Sequence, residues 1–111
     1  MKILFLGDVV GLSGCRKIIK DLSGQIKKNN IDFVIINAEN ADETGVGLTK
    51  EICLNFFEIG VDVITTGNHV WDQKDIMNFI DKEKRLLRPK NLFEPAPGRG
   101  FEIYKTKKNY R

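Results

Sequence analysis

The sequence predicts an α/β domain in which a parallel sheet is flanked by helices. Short runs of β-branched and apolar residues recur about every 30 positions, and each run is apolar on both faces, which is typical of strands in a covered parallel sheet. Stretches with helical spacing of apolar residues separate these runs. The resulting βαβαβα order requires right-handed crossovers between parallel strands. We expect the 111 residues to form a single domain.

Three strands are predicted first, at residues 3–6, 33–36 and 61–65. A helix over residues 14–28 should join the first two, with Ser13 as its N-cap residue, because apolar side chains recur there at helical spacing. Thr49 should cap a second helix, and Gly60 should follow its last turn.

The last third of the chain has a different pattern of residues, with one further predicted helix followed by a segment rich in proline and glycine. Asp72 and Asp75 should open a third helix, because acidic residues favour a first helical turn. Beyond Arg88, prolines and glycines indicate a long turn-rich connection, and residues 101–104 are predicted to form a fourth strand. The tail at residues 105–111 is basic and polar.

The composition excludes several classes of protein. The net charge of +3 is too small and too scattered to indicate a nucleic-acid partner, although it does not forbid one. Two cysteines without paired spacing argue against a disulfide framework or a zinc ribbon. The apolar run at residues 3–6 is too short for a signal peptide or a membrane span. We therefore expect a cytoplasmic protein with no membrane partner.

A small polar cluster follows each of the three strands. Asp8 comes after the first strand, Glu39 after the second, and Asn68 and His69 after the third. The carboxyl ends of parallel strands meet along one edge of a sheet, which is where open α/β folds bind ligands. We expect these four side chains to converge there. Asp42 and Glu43, just beyond the second cluster, are expected to be exposed loop residues.

Two carboxylates, an amide oxygen and an imidazole suit divalent ions of the Mn, Fe or Zn type. A carboxylate can also bridge two ions about 3.5 to 4 Å apart, an arrangement that promotes phosphoryl transfer. Glu39 lies in the middle of the three clusters and is the candidate bridge.

Three ordered motifs carry a family resemblance. They are GDVVG at residues 7–11, NAEN at residues 37–40 and GNHVWD at residues 67–72. Together they resemble the YmdB-type branch of the calcineurin-like metallophosphoesterases, and the similarity extends over essentially the whole chain. Val10 stands where the wider superfamily has a histidine, which favours this branch. The fold implied is the first half of the αββα sandwich of that superfamily.

The resemblance implies a phosphodiesterase that acts on 2′,3′-cyclic nucleotides with two divalent ions. By position, Asp8 would bind the first ion, Glu39 would bridge both, and Asn68 would bind the second. Metal-bound hydroxide would attack phosphorus. His69 would donate a proton to the leaving oxygen, a contribution worth about 10² to 10⁴ in rate.

Members of the family are more than twice this length and carry further metal-binding histidines in their second half, whereas His69 is the only histidine here. We therefore expect a truncated or split family member with an incomplete site. The isolated chain should bind no more than one ion. One face or edge of its sheet should be uncovered, which favours self-association or a companion second half.

Two other functions stay open. A nucleotide-binding module without chemistry is the first, although the chain has neither a G-x-G-x-x-G loop nor a P-loop. It would keep its nucleotide affinity after metal chelation. A structural remnant of a split gene is the second, and it would need its companion for solubility.

Overall fold

The structure is a computed structural model that describes residues 1–107 of the chain. Its elements are, in order, β1 (Ile3–Leu6), α1 (Gly11–Asn29), β2 (Phe33–Asn37), α2 (Lys50–Glu58), β3 (Val63–Thr65), α3 (Ile76–Ile80) and β4 (Leu86–Leu87). The four strands form one parallel sheet in the order β1-β2-β3-β4. The predicted α/β class with a parallel sheet is confirmed.

The helices pack on one face of this sheet. Each right-handed crossover places its helix on the same side when strands are added in sequential order. Accordingly, alternate strand residues and helix residues form one buried core, which includes Val34, Ile36, Ile64, Leu86, Leu22, Cys53, Phe56, Ile76 and Ile80. The helices therefore occupy the side of the sheet away from Ile3 and Phe5.

The opposite face of the sheet is partly open. Ile3 and Phe5 are 52% and 59% exposed, and the strand register sets them beside Phe33 and Ile35. The ring of Tyr104 approaches that of Phe33 at a centroid distance of 6.0 Å, so the segment around Tyr104 crosses part of this face. An uncovered apolar face of this kind agrees with the expectation from sequence.

The first helix begins three residues earlier than predicted. It starts at Gly11, and the N-cap residue is Val10, which forms no side-chain cap. The amide of Gly11 donates to the carbonyl of Asn40 at 2.9 Å, so the neighbouring loop fixes the helix start. Ser13 is exposed within the first turn and does not cap the helix.

The second helix is capped as predicted. The hydroxyl of Thr49 accepts a hydrogen bond from the amide of Ile52 at 3.3 Å. We expect Thr49→Ala to lower the free energy of unfolding by about 1 kcal/mol, because one amide of the first turn loses its partner. Ser13→Ala is the matched control and should change it by less than about 0.5 kcal/mol. Urea denaturation measures both, and equal effects would contradict this assignment of caps.

The prediction of a fourth strand at residues 101–104 is wrong. Residues 101–104 have no regular structure, and the strand that pairs with β3 is Leu86–Leu87. Leu86 is fully buried in the core, whereas Phe101 and Ile103 are largely exposed. The strand therefore forms at Leu86–Leu87, where a leucine side chain is buried in the core. A strand of two residues is too short to show an alternating apolar pattern in the sequence. Of the predicted basic tail, residues 108–111 lie outside the described residues.

The third helix is shorter than the sequence suggested. It spans only Ile76–Ile80, and neither acidic residue caps it. The carboxylate of Asp75 accepts from the amide of Lys50, and that of Asp72 contacts His69. Across residues 1–107, every helix lacks the combination of length and apolar character that crossing a bilayer requires.

Candidate functional site

The carboxyl ends of β1, β2 and β3 are linked to one another by backbone hydrogen bonds. The amide of Val9 donates to the carbonyl of Asn37 at 3.0 Å, and the amide of Ala38 donates to the carbonyl of Thr65 at 3.1 Å. These bonds extend the parallel pairing beyond the strands. The three loops that carry the polar clusters therefore lie side by side at one edge of the sheet.

Asp8 is held against the second loop. Its carboxylate Oδ1 accepts a hydrogen bond from Asn40 Nδ2 at 2.8 Å. Its backbone is left-handed, with φ of 41°, a conformation that asparagine and aspartate tolerate better than most residues. The side chain stays exposed, so one of its oxygens is available to a ligand.

Glu39 lies against the third loop. A Cβ atom at Gly67 would collide with both carboxylate oxygens of Glu39, so only glycine permits this approach. Oε2 of Glu39 also accepts a long hydrogen bond, 3.4 Å, from the amide of His69. Glu39 therefore connects the second loop to the third. In the same way, the hydrogen bond from Asn40 to Asp8 connects the second loop to the first.

Asn68 and His69 occupy the third loop itself. Asn68 is exposed, and within residues 1–107 its side chain forms no hydrogen bond with Asp8 or Glu39. The ring of His69 is about one-third exposed, and its Nδ1 lies 2.7 Å from Asp72 Oδ2. The structure thus joins Asp8 and Glu39 to the same group of loops and leaves Asn68 at the solvent side of it.

Two asparagines that sequence reasoning left without a role lie at this edge. The side-chain oxygens of Asn37 and Asn40 are buried and have no hydrogen-bond partner within the described residues. Buried polar atoms are nearly always satisfied, so an orphan oxygen is typical of a site that binds an ion or water. Because Asn40 Nδ2 is bound to Asp8, its Oδ1 is the oxygen left for such a ligand.

Asp42 ties the second loop to the third. The sequence suggested an exposed residue, but Asp42 is only 8% exposed. Its Oδ2 accepts from the amide and hydroxyl of Thr44 and from Nε2 of Gln73 at 2.8 to 3.2 Å. Glu43 is exposed, as expected. The signal available in the sequence was Asp-x-Thr, a pattern in which the acid binds its own loop.

We expect Asp42→Ala to lower the free energy of unfolding by about 1 to 2 kcal/mol, because the donors of Thr44 and Gln73 lose a largely buried acceptor. Glu43→Ala changes the neighbouring acid, which is exposed, and should change it by less than about 0.5 kcal/mol. Thermal or urea denaturation of both variants gives the comparison. A loss from Glu43→Ala as large as that from Asp42→Ala would contradict the role given to Asp42.

The two cysteines lie in the first and second helices, and Cys15 Sγ donates to the carbonyl of Ala41 in the second loop at 3.2 Å. Both are buried, and burial raises the pKa of the Cys15 and Cys53 thiols. A thiol with a raised pKa is a poor nucleophile at neutral pH. They serve as small core residues, as the sequence suggested.

Comparison with known proteins decides the family. A sequence model described as YmdB-like protein matches residues 4–111, nearly the whole chain. The chain belongs to the YmdB-like family. This YmdB-like chain is 46% identical over 107 residues to a 2′,3′-cyclic-nucleotide 2′-phosphodiesterase of Bacillus subtilis strain 168. That alignment covers 96% of this chain and 40% of the relative.

Solved structures agree with this membership. A novel phosphatase from Mycoplasma pneumoniae superposes with a TM-score of 0.82 at 38% identity, over 94% of this YmdB-like chain and 39% of that chain. A hypothetical protein from Thermus thermophilus superposes with a TM-score of 0.81 at 35% identity, over 93% and 40%. The chain therefore spans about two fifths of the length of the relatives it matches.

Proposed function

We propose that this chain supplies one edge of the active site of a phosphodiesterase that hydrolyses 2′,3′-cyclic nucleotides with two divalent ions. The observation that carries the proposal is the position of the Glu39 carboxylate. It lies in close contact with Gly67 and accepts a hydrogen bond from the amide of His69. The name of the Bacillus subtilis relative supports the substrate class.

The donor atoms at this edge fit a hard or borderline divalent ion. The carboxylates of Asp8 and Glu39 and the buried, unpartnered oxygen of Asn40 are the ligand type that Mn²⁺, Fe²⁺ and Zn²⁺ accept. Within residues 1–107, no three His, Cys, Asp or Glu side chains gather closely enough to hold an ion by themselves. The set is therefore suited to the ions but too small to complete two coordination shells of about four to six ligands each.

In the complete site, Asp8 and Asn40 would hold the first ion, Glu39 would bridge both, and Asn68 would bind the second. The bound ions would supply an activated water and would neutralise the phosphate oxygens. His69 would donate a proton to the departing ribose oxygen. The ring is accessible for this, because it is only partly covered by the chain.

The further ligands would come from a segment that corresponds to the remaining three fifths of the relatives. The exposed apolar face around Ile3 and Phe5 is a surface on which such a segment could pack. By itself the chain would bind at most one ion weakly.

A chimera tests the proposed function. The 107 matched residues of the Bacillus subtilis phosphodiesterase are replaced by those of this chain, and hydrolysis of 2′,3′-cyclic AMP is assayed with Mn²⁺. We expect activity within about tenfold of the parent enzyme and its loss on metal chelation. The unmodified relative, purified in parallel, is the control for the assay.

The alternatives predict other results. A soluble, folded chimera without hydrolysis would overturn the phosphodiesterase proposal. Nucleotide binding by the isolated chain that survives both chelation and Glu39→Gln would favour a binding module. Rapid hydrolysis by the isolated 111 residues with two bound ions would contradict the need for further ligands from the rest of the family domain.

A further inference from the structure

The positive charge of the chain is concentrated on its first helix. Of the eighteen cationic and fifteen anionic side chains, five and one lie in α1, which leaves thirteen and fourteen in the rest of the chain. The cations of α1 are Arg16, Lys17, Lys20, Lys27 and Lys28. The net charge of +3 therefore resides on this helix and is less scattered than the value for the whole chain suggested.

Three of these cations form a basic stripe along the helix, made of Arg16, Lys20 and Lys27. At 3.6 residues per turn they lie within about 40° of one another around the axis and span about 17 Å along it. All three are exposed. Within the described residues none of them forms an ion pair, whereas Lys17 pairs with Asp21, the only acid of the helix. The stripe is therefore free to bind an anionic partner.

The stripe begins beside the candidate site. α1 starts at Gly11, whose amide donates to the carbonyl of Asn40 at the loop edge. At 1.5 Å per residue, Arg16 lies about 8 Å along the helix from that start and Lys27 about 24 Å. Glu43 lines a groove together with Arg16, but in the part of the chain that the structure describes the two form no ion pair. A polyanion with one end at the loop edge can thus extend along α1.

We propose that the basic stripe binds the phosphate backbone of an oligoribonucleotide whose 3′ end occupies the phosphodiesterase site. The inference rests on the proposed function and names its substrate more closely, as RNA fragments that end in a 2′,3′-cyclic phosphate. Such an end requires a ribose 2′-oxygen, so the polyanion is RNA and not DNA. Attack of a 2′-hydroxyl on the adjacent phosphate cleaves RNA and leaves this end. RNA cleavage by transesterification is therefore the class of reaction that would supply the substrate.

The stripe offers contacts to phosphates and none to bases. Arginine and lysine side chains on a helix surface neutralise phosphates whatever the sequence of the nucleic acid. Proteins that hold the bases of a single strand usually stack them on aromatic side chains, and α1 contains no aromatic residue. We therefore expect binding without sequence preference.

An anionic membrane fits this surface less well than RNA does. A basic helix that lies in a lipid surface inserts its apolar face between the lipids. In α1 that face belongs to the core of the domain, where Cys15 and Leu22 are buried. Only the cationic face is available, and that face is sufficient for a phosphate backbone.

Fluorescence anisotropy of the full 111-residue chain tests the stripe itself. The probe is a labelled oligouridylate that ends in a 3′-phosphate, which the proposed reaction does not cleave. Three phosphate contacts on a single strand predict a salt slope of about −2, so affinity should fall about 20-fold between about 50 and 200 mM salt. The triple variant Arg16→Gln, Lys20→Gln, Lys27→Gln should bind at least about tenfold more weakly at low salt and lose most of this salt dependence.

The matched control is the triple variant Lys82→Gln, Lys84→Gln, Lys105→Gln, which removes the same charge from exposed positions outside α1. Its affinity should change less than about twofold, because these side chains would contact no phosphate. Oligocytidylate should bind within about threefold of oligouridylate, because phosphates carry no sequence information. Equal losses from the two triple variants would overturn the inference. Binding to phosphatidylserine vesicles without binding to the oligonucleotides would also overturn it.

Kinetics of the chimera test whether the stripe serves the reaction. For an oligouridylate that ends in a 2′,3′-cyclic phosphate, the stripe variant should raise KM about tenfold with kcat unchanged, which is the signature of lost ground-state binding. For 2′,3′-cyclic AMP, which has no further phosphates, both constants should stay within about twofold. Equal increases of KM for the two substrates would contradict the inference. A chimera that hydrolyses neither substrate would overturn the proposed function alone, since anisotropy still reports whether the stripe binds RNA.

Discussion

Gly67→Ala is expected to lower the activity of the chimera by about 10²-fold or more. The new Cβ would collide with both carboxylate oxygens of Glu39, so the carboxylate must move away from the third loop. A displacement of about 1 Å at a catalytic group can cost this much in rate. Gly67 does not have a left-handed backbone, so the effect would come from the close approach alone. Hydrolysis of 2′,3′-cyclic AMP at saturating Mn²⁺ is the measurement.

Gly24→Ala is the matched control for this prediction. A Cβ atom at Gly24 meets no atom within 4 Å, and the residue lies in the first helix. This variant should keep its activity within about twofold and gain up to about 1 kcal/mol in stability, since alanine favours a helix. If the Gly67→Ala chimera were as active as the Gly24→Ala chimera, activity would not depend on the position of the Glu39 carboxylate.

Glu39→Gln is expected to abolish hydrolysis, with a loss of roughly 10³-fold or more, comparable to removal of a principal electrostatic group from an active site. The amide keeps the shape of the side chain but removes the negative charge that would bridge two cations. Metal content per chimera, measured by elemental analysis, should fall together with kcat.

Glu43→Gln removes a charge of the same kind from the same loop, at an exposed position. It should leave the metal content and kcat unchanged within about twofold. A Glu39→Gln chimera that retains full activity and both ions would contradict the role of Glu39 as a metal ligand, independently of the roles of the other residues.

Much of the fold follows from the sequence. Continuous apolar runs at β1 and β2 and the hydroxyl of Thr49 before its helix are strong local signals, and the structure has each of them in place. Gly60 also follows the second helix, with a positive φ of 112°. These features depend on contacts between residues that are close in sequence, which is why a pattern reveals them.

The features that sequence reasoning missed depend on distant contacts. The start of α1 is set by Asn40, about thirty residues away, rather than by Ser13. β4 forms because Leu86 fits the core, and its two residues have no period to recognise. The side-chain oxygen of Asn40 becomes buried only once the loops are side by side. Asp8, Glu39, Asn68 and His69 stay a prediction as a functional set, and the partners of Asp8 and Glu39 in the neighbouring loops required the structure.

Titration of the nitrogen-15-labelled chain with Mn²⁺ is the most direct test that the loop edge binds a divalent ion. Paramagnetic broadening falls steeply with distance, so even weak binding marks its location. The amides of Asp8, Asn40 and His69 should broaden first, and Glu39→Gln should suppress the effect. Broadening centred on other acidic surfaces, such as that around Asp21 on the first helix, with the loop edge unaffected, would contradict the proposed site.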